Sequence, residues 1–498
     1  MHSHHRLLTI VVAFLLSLGI GCGGGEMNQV QQKGSGAGGS GNAGGTTGGA
    51  SAGTTGGSTG GTTGGGTGAV TPGPPNPGGS IASVNHIIML VQENRSFDHY
   101  FGKLNAYRVS HGLPADVDGL PDDDKAVTNI GYDGSEQHLW HMKSVCTTNL
   151  SSAWNETRAD VTRDGEDYPL DPARMDGFAH VAGHYASGNR DPDVAGKRAM
   201  GYFTERELPY YYFMATQFAT ADRFFSIIPS RTDPNRMALL AATSAGHAYP
   251  LNESHSGQVN AKTIFELLDK AHISWKIYSP DRNNSSHGTY FTDFTYADNK
   301  LDHIVDMSEY TKDVMAGTLP AVAVIESGVE DASSGISTGI DEHPEDNVQI
   351  GAQWAADKIN TLMRSPSWKD SVFFLTYDEG GGFYDHVPPL YPVPVPDGID
   401  PIDVAPHDNP GTFNITGFRV PVIVISPFAK QHFVSHTPMD NTAVLKFIET
   451  RFGLPNLTKR DAAMPDMQEF FDWVNMPWQT PPTPPNQPVD APCYYSVP

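Results

Sequence analysis

Positive charge is scarce in this chain. Its 498 residues include 32 Lys and Arg against 56 Asp and Glu, giving a formal net charge of -24 without any basic cluster. Proteins that bind nucleic acid usually neutralise phosphates with a basic patch, so we expect no nucleic-acid partner. An acidic surface also repels anionic membranes at long range, so a lipid substrate would have to be drawn in by a local site. Simple solubility explains the charge equally well.

Cysteine is rare as well. The chain has three, and Cys22 stands at the end of an apolar run, which leaves Cys146 and Cys493. In an exported protein these two could form one disulfide, although their spacing does not establish that they meet.

The longest apolar run lies at the N-terminus. It reads LLTIVVAFLLSLGIG from Leu7 to Gly21 and follows Arg6 and several histidines. A short apolar run behind a basic start is typical of a secretory signal and too short for a confident membrane span. The end of the run, GIGCG, resembles a bacterial lipoprotein signal, although Gly19 stands where leucine is usual. We therefore predict an exported protein, lipid-anchored in the bacterial envelope through Cys22 and otherwise secreted or periplasmic.

Composition divides the chain into four segments. Residues 1–22 are the predicted signal peptide, and residues 23–83 form a Gly/Ser/Thr-rich tether with almost no apolar residues to bury. Such a segment stays disordered and spaces a domain from its anchor. Residues 84–476 are the predicted catalytic domain, and the Pro-rich tail 477–498 is expected to lie beyond the folded part.

The body has the pattern of an α/β protein. Helical patterns separate the apolar runs, among them Thr442 to Phe452 and a segment that begins with a capping box at Thr263 and Glu266. Strands that alternate with helices predict a three-layer α/β/α sandwich with a largely parallel sheet. In such sheets, ligands bind outside the carboxyl ends of the strands. The runs that we expect to be buried strands are His86–Val91, Ile273–Tyr278, Ala321–Ile325, Val372–Tyr377 and Val420–Ile425.

Two polar clusters directly follow two of these runs. Glu93 and Asn94 come after the first run, and Asp378 and Glu379 come after the run that ends at Tyr377. The glycines behind Glu379 let the backbone turn away and leave both carboxylates accessible. Hard oxygen donors favour one divalent cation, namely calcium, magnesium or manganese. The alternative is that these side chains only cap helices at strand–helix junctions.

A third segment, Pro-Ser-Arg-Thr-Asp-Pro-Asn-Arg, spans residues 229–236. Pro234 fits the first turn of a helix, so the hydroxyl of Thr232 would lie near unpaired N–H groups and the positive end of the helix dipole. This is a suitable position for attack on a phosphate. By itself the segment is explained better by Thr232 or Asp233 acting as the N-cap.

Three motifs carry a resemblance to a known family. The segments VNHIIMLVQENRSFDHYFG, RTDPNR and TYDEGGGFYDHV, with an EHP motif at Glu342, are similar to the bacterial phosphoesterase family of non-haemolytic-type phospholipases C and related acid phosphatases. The resemblance runs from about Val84 to about Phe452. It implies an alkaline-phosphatase-like fold with a nucleophilic threonine and one metal. The implied metal ligands are Glu93, Asn94, Thr232, Asp378 and Glu379.

The resemblance also implies groups that contact the phosphoryl group. We expect Asn94, His343 and Asn235 to bind phosphate, and Thr232 to form a phosphothreonine that water then hydrolyses. His343, His138 and His386 are the candidate catalytic histidines. Three features depart from the family pattern: Ser230-Arg231 replaces Gly-Pro, residues 155–171 look like an insertion, and the C-terminal extension of the longer phospholipases C is absent.

Three functions therefore remain to be distinguished. The leading prediction is a phospholipase C or other phosphodiesterase that acts on a phospholipid or a small phosphate ester. The first alternative is a broad-specificity acid phosphatase on monoesters, and the second is a non-catalytic surface binding protein on a tether. The lipid head group and the oligomeric state do not follow from the sequence.

Overall fold

The computed structural model describes residues 79–163, 173–251, 258–283, 288–328 and 339–497. The predicted signal, Cys22 and the tether up to residue 78 lie outside these ranges, so those assignments stay predictions. No helix in the described ranges has the length and apolar character that crossing a bilayer requires.

The described residues contain fourteen strands and eleven α-helices. The strands are β1 His86–Gln92, β2 Thr128–Ile130, β3 Glu136–His138, β4 Trp140–His141, β5 Gly201–Tyr202, β6 Ala219–Ala221, β7 Phe224–Phe225, β8 Trp275–Ser279, β9 Ile304–Asp306, β10 Val322–Glu326, β11 Ser371–Tyr377, β12 Val422–Ile425, β13 Phe433–Ser435 and β14 Met439–Asp440. The helices are α1 Phe97–Phe101, α2 Leu104–Ser110, α3 Trp154–Val161, α4 Phe178–Asn189, α5 Pro209–Gln217, α6 Thr232–Ala241, α7 Ile264–Lys270, α8 Ser308–Ala316, α9 Val348–Met363, α10 Thr442–Phe452 and α11 Lys459–Ala463.

Eight strands form one sheet in the order β13-β6-β12-β11-β1-β10-β8-β9. Only β12 is antiparallel to its neighbours, and every residue of β1 and β11 is buried. Continuous burial explains why these strands are unbroken apolar runs, since helices cover both faces of a parallel sheet. The predicted three-layer α/β/α class with a largely parallel sheet is confirmed. All five predicted strands are present, and the helix expected over Thr442–Phe452 has those bounds.

The C-terminal tail corrects one of our expectations. The folded part does not end at residue 476, because Trp478 is buried and its carbonyl accepts a hydrogen bond from Trp368 Nε1 at 2.9 Å. The buried Gln487 donates to the Glu207 carbonyl at 2.8 Å, and a disulfide joins Cys493 to Cys146. A Pro-rich segment cannot join a sheet ladder, but its side chains and carbonyls still dock it on the body. The tail is therefore part of the domain.

Candidate active site

Three carboxylates meet at the carboxyl edge of three neighbouring strands. Glu326 ends β10, Glu93 follows β1 and Asp378 follows β11. The parallel register pairs Val91 with Glu326 and Gln92 with Tyr377, so the strand ends lie side by side. All three acidic side chains are buried. The sheet topology thus concentrates negative charge at the edge where ligands bind in α/β folds.

The guanidinium of Arg236 contacts all three of these carboxylates. Its nitrogen atoms lie 3.3 Å from Glu93 Oε1, 3.4 Å from Glu326 Oε2 and 3.3 Å from Asp378 Oδ2. Burial alone would lower the pKa of Arg236, but the three carboxylates outweigh it and raise the pKa above the ordinary value. We did not predict Arg236 or Glu326. A usable signal existed for Arg236, which stands four residues after Thr232 and so shares its face of α6.

Asn94 links this cluster to Thr232. Its backbone N–H donates to Asp378 Oδ1 at 3.1 Å, and its Oδ1 accepts a hydrogen bond from Thr232 Oγ1 at 3.1 Å. Asn94 has a φ of 61°, a left-handed conformation that non-glycine residues adopt mostly at functional sites and turns. A side chain at Gly381 would meet the Asn94 carbonyl at 2.2 Å, so the close packing of the two motif loops requires glycine there.

Thr232 is the first residue of α6 and not its cap. Arg231 occupies the N-cap position, and no side chain caps the helix. The helix-cap alternative for Thr232 and Asp233 is therefore wrong. The half-buried Thr232 hydroxyl instead lies at the positive end of a ten-residue helix, where backbone N–H groups favour an anion.

One cavity of about 420 Å³ brings four of the nine predicted site residues together. Thr232, Asn94, Glu93 and His343 all line it, as does Arg231, which replaces the expected proline. The remaining lining residues are Asn149, Leu150, Ser151, Ser152, Ala153, Glu156, Tyr185, Asp233, Pro250 and Tyr290. The arrangement joins a hydroxyl, an amide and a cationic side chain in a space that a phosphoester can enter.

Asp378 and Glu379 lie behind this lining. Glu379 Oε1 accepts a hydrogen bond from Ser152 Oγ and Oε2 accepts one from the Gly381 N–H, both at 2.5 Å. Burial, followed by the charge of Asp378, raises the pKa of Glu379 to about 8, and burial also raises the pKa of Asp378. Both carboxylates are thus held where ionisation is costly without a further positive charge.

The donor atoms fit a hard divalent cation. Glu93, Asn94, Thr232 and Asp378 offer only oxygen side-chain donors and are linked directly or through Arg236. Three carboxylates share one guanidinium, so the cluster holds more negative than positive charge. Oxygen donors with net negative charge suit calcium, magnesium or manganese.

His343 lines the cavity in a neutral form. Burial and then the charge of Arg95 lower the pKa of His343 to about 4, so the ring is neutral near pH 7. The preceding residue, Glu342, has a φ of 70°. Its buried carboxylate accepts hydrogen bonds from the hydroxyls of Tyr100, Tyr211 and Tyr377 at 2.5 to 2.7 Å. The motifs contain Tyr100, Glu342 and Tyr377, but nothing in their spacing indicates this hub.

His386 belongs to a second cluster of charged side chains. Asp98, Asp385 and His386 have ligand atoms within 4.8 Å of one another and could hold a metal ion. The guanidinium of the buried Arg419 already contacts Asp98 at 2.8 Å and Asp385 at 2.9 Å. His386 also contacts Asp98 at 2.7 Å and Asp118 at 3.0 Å. Burial lowers the pKa of His386, but Asp98 and Asp385 outweigh it and raise it to about 9.

Besides Asp378 and Glu379, three further predicted site residues are absent from the cavity lining. His386 lies in the second cluster. His138 ends β3, and its Nδ1 lies 3.0 Å from the Val127 carbonyl. Asn235 is fully buried: its Oδ1 accepts from the backbone N–H of Ile228, and its Nδ2 donates to the carbonyl of Ser230. Asn235 therefore shapes the loop before Thr232 instead of taking the phosphate-facing position that we expected.

Comparisons with known proteins agree with the motifs. The family model described as the phosphoesterase family matches residues 84–455, and the chain belongs to this family. The non-specific phospholipase C1 of Arabidopsis thaliana is 30% identical over 80% of this chain and 72% of the relative. Phospholipase C B of Mycobacterium tuberculosis is 28% identical over 84% and 82%, and the hemolytic phospholipase C of Pseudomonas aeruginosa is 28% identical over 79% and 57%. The chain is a hydrolase of phosphoric esters.

Likeness to solved structures is weaker. A protein described as a member of the alkaline phosphatase superfamily from Vibrio parahaemolyticus has 14% identity and a TM-score of 0.30, over 52% of this chain and 64% of that chain. We base neither the fold nor the function on a likeness at this level. The fold assignment rests on the sheet itself.

Proposed function

We propose that this chain is a metal-dependent phosphodiesterase of phospholipase C type that acts through a phosphothreonine at Thr232. The observation that carries the proposal is the contact of Thr232 Oγ1 with Asn94 Oδ1 at 3.1 Å, on the wall of a cavity and at the start of α6. A nucleophile at this position faces the substrate while the helix dipole attracts its phosphate.

Glu93, Asn94, Thr232 and Asp378 would hold the cation. When bound, a divalent cation lowers the pKa of the threonine hydroxyl and polarises the phosphoryl oxygens. The identity of the ion is not part of the proposal. Both oxygens of Glu379 accept hydrogen bonds, from Ser152 Oγ and from the Gly381 N–H, so Glu379 would position its neighbour Asp378 and not bind the cation itself.

Hydrolysis takes two steps and consumes one water molecule. In the first step, the Thr232 oxygen loses its proton and bonds to phosphorus, the bond from phosphorus to the leaving oxygen breaks, and the proton passes to the leaving alcohol. In the second, water bonds to phosphorus, the bond to Thr232 breaks and the hydroxyl regains its proton. Arg231 and the N–H groups of α6 stabilise the equatorial oxygens, and neutral His343 offers them a hydrogen bond.

The charge of the cavity favours diesters over monoesters. Glu156 and Asp233 line it in addition to Glu93, which would hold the cation, so two further acidic side chains would face the substrate. A phosphodiester carries one negative charge near neutral pH, whereas a monoester carries nearly two and is repelled more strongly. The acid phosphatase alternative is therefore less well supported than the phosphodiesterase.

The central test replaces Thr232 with alanine. We expect turnover of p-nitrophenyl phosphorylcholine to fall by at least about 1000-fold, because no other group replaces the nucleophile. Thr311→Ala, at an exposed position on α8, is the matched control and should keep full activity. Rapid quenching and mass spectrometry should find one phosphorylcholine group esterified to Thr232 of the wild type. Unimpaired turnover by the Thr232→Ala variant would refute the proposal.

A substrate panel and a chelator separate the alternatives. Faster turnover of p-nitrophenyl phosphate than of p-nitrophenyl phosphorylcholine would favour the acid phosphatase. A binding protein would hydrolyse neither substrate, with or without added calcium, magnesium or manganese. Loss of activity in EDTA and its recovery on adding one of these ions would support the metal dependence.

We also propose that the chain is exported and anchored through Cys22. The Cys146–Cys493 disulfide supports an oxidising compartment. Cys22→Ser should move the protein from the membrane fraction to the soluble fraction of cells that express it. Continued membrane association of this variant would contradict the anchor.

A further inference from the structure

One wall of the cavity has no regular secondary structure of its own. It is the segment 144–153, here called the cavity loop, which lies between β4 and α3. Its second half, residues 149–153, lines the cavity. A segment without ladder or helix bonds keeps its shape only through ties to other parts of the chain.

The first half of the cavity loop is tied to the C-terminal tail. Cys146 forms the disulfide with Cys493, across a sequence separation of 347 residues. The Val145 N–H donates to the Pro492 carbonyl at 2.9 Å, and the Tyr494 N–H donates to Ser144 Oγ at 2.9 Å. Three consecutive tail residues thus hold three consecutive loop residues.

The tail is itself fixed to the body on the other side. Gln487 Nε2 donates to the Glu207 carbonyl at 2.8 Å, and the Ala491 N–H donates to Gln349 Oε1 at 3.0 Å. Gln349 belongs to α9, one of the helices that flank the sheet. The tail residues 487–494, here called the clamp, therefore connect the cavity loop to a rigid element.

The other end of the cavity loop reaches Glu379, the neighbour of the proposed cation ligand Asp378. Ser152 Oγ donates to Glu379 Oε1 at 2.5 Å, and the Ser152 carbonyl accepts from Thr157 Oγ1 at 2.9 Å. A displacement of the loop would move Ser152 away from Glu379 and reshape the wall that faces Thr232.

We propose that the clamp is a positioning element of the active site, which acts through the cavity loop and Ser152 on Glu379. This inference rests on the proposed phosphoesterase function. The outer end of the clamp contributes little to the core, because Cys493 and Tyr494 are exposed. Loss of the disulfide should lower stability, because the disulfide closes a loop across 347 residues, and should separately lower kcat/KM through displacement of the cavity loop.

The test removes the covalent tie and measures kcat, KM and thermal stability together. We expect Cys146→Ser/Cys493→Ser to lose about 10- to 100-fold in kcat/KM at a temperature where it is folded, because small misplacements of catalytic groups cost that much. The matched control is Trp478→Phe, at a buried tail position that contacts Phe218 and not the cavity loop. This control should lower the melting temperature and leave kcat/KM unchanged.

Hydrogen exchange supplies a readout that does not depend on turnover. In the double cysteine variant, amides 147–153 should exchange faster, while amides of β1 and β11 keep their protection. Ser152→Ala should lower kcat on its own, and its combination with the cysteine changes should be less than additive, since both act through one contact. Ser152→Thr, which keeps the hydroxyl, should restore most of the rate.

Each outcome decides between the two proposals. If Thr232→Ala keeps its activity, the proposed function fails whatever the clamp variants do. If Thr232→Ala is inactive and the double cysteine variant keeps wild-type kcat/KM and exchange, the clamp inference is overturned. Should the double variant not fold, Ser144→Ala removes the Tyr494 contact with the disulfide intact. That variant must then show the same faster exchange at 147–153, and unchanged exchange overturns the inference.

Discussion

The same two motif loops build two buried charge clusters of opposite character. Glu93 and Asp378, at the start of the loops, meet Arg236 at 3.3 Å, together with Glu326. Asp98 and Asp385, five and seven residues further along, meet Arg419 at 2.8 and 2.9 Å. The nitrogen–oxygen distances are longer in the first cluster than in the second. Glu93 of the first cluster lines the cavity, whereas no residue of the second cluster does.

The difference lies in the balance of charge. In the first cluster three carboxylates share one guanidinium, so a further cation is favourable. In the second, Arg419 and a His386 whose pKa is raised to about 9 supply two positive charges to Asp98 and Asp385. The balanced cluster links the two motif loops through Arg419, whereas the unbalanced cluster borders the cavity and is the one that we propose to bind the cation.

The largest expected effect comes from breaking the balanced cluster. Arg419→Gln leaves Asp98 and Asp385 buried without their guanidinium, and we expect it to lower the free energy of unfolding by about 3–5 kcal/mol. Urea denaturation followed by circular dichroism measures this change. The control is Arg223→Gln, which removes a partly exposed pair with Asp118 and should cost below about 1 kcal/mol. Similar costs for both variants would refute the structural role of the second cluster.

The next effect comes from the unbalanced cluster. Asp378→Asn should lower turnover by at least about 100-fold and abolish stabilisation by the activating cation, because it removes both a donor and a charge. Calorimetric titration with calcium, magnesium and manganese measures the binding. Asp385→Asn makes the same chemical change in the other cluster and should retain cation binding at a temperature where it is folded. Equal loss of binding in both variants would place the cation elsewhere.

The smallest effect is a pH dependence of stability that arises from His386. Because the folded chain binds this proton more tightly than the unfolded chain, the contribution is complete below a pH of about 6.5 and is lost as the pH rises through about 9. We expect a decline on the order of 2 kcal/mol over this window. Urea midpoints of the wild type and His386→Gln between pH 6 and pH 10 measure it. A variant that declines as steeply as the wild type would assign the dependence to other groups.

The sequence predicted the parts of the molecule that local patterns encode. Apolar runs marked β1, β8, β10, β11 and β12, because strands buried on both faces admit few polar residues. Polar residues that directly follow two of these runs then indicated Glu93, Asn94, Asp378 and Glu379 as candidate site residues. The antiparallel direction of β12 did not follow, since an apolar run looks the same in both directions.

What the sequence missed are contacts between distant segments. The contacts of Arg236 with Glu326, and of the tyrosines with Glu342, join segments far apart in the chain and form only where the fold brings them together. His138 and His386 were chosen as histidines near motifs, yet the ring of His138 contacts Val127 and Thr128 at the start of β2, and the ring of His386 lies in the second cluster. The Pro-rich composition of the tail wrongly predicted that it lies beyond the folded part, because prolines disfavour regular secondary structure but still allow the segment to pack on the domain.

The sequence by itself determined the α/β class, the membership of the phosphoesterase family and the residues that supply oxygen donors and the hydroxyl. These properties depend on apolar periodicity and on short motifs, which are local. The tertiary structure decided that Thr232 begins α6 beside Asn94, that three carboxylates share one arginine, and that a disulfide joins the tail to the loop that lines the cavity. Those features depend on strand order and long-range contact, since charge balance and orientation exist only once separate segments share one small volume.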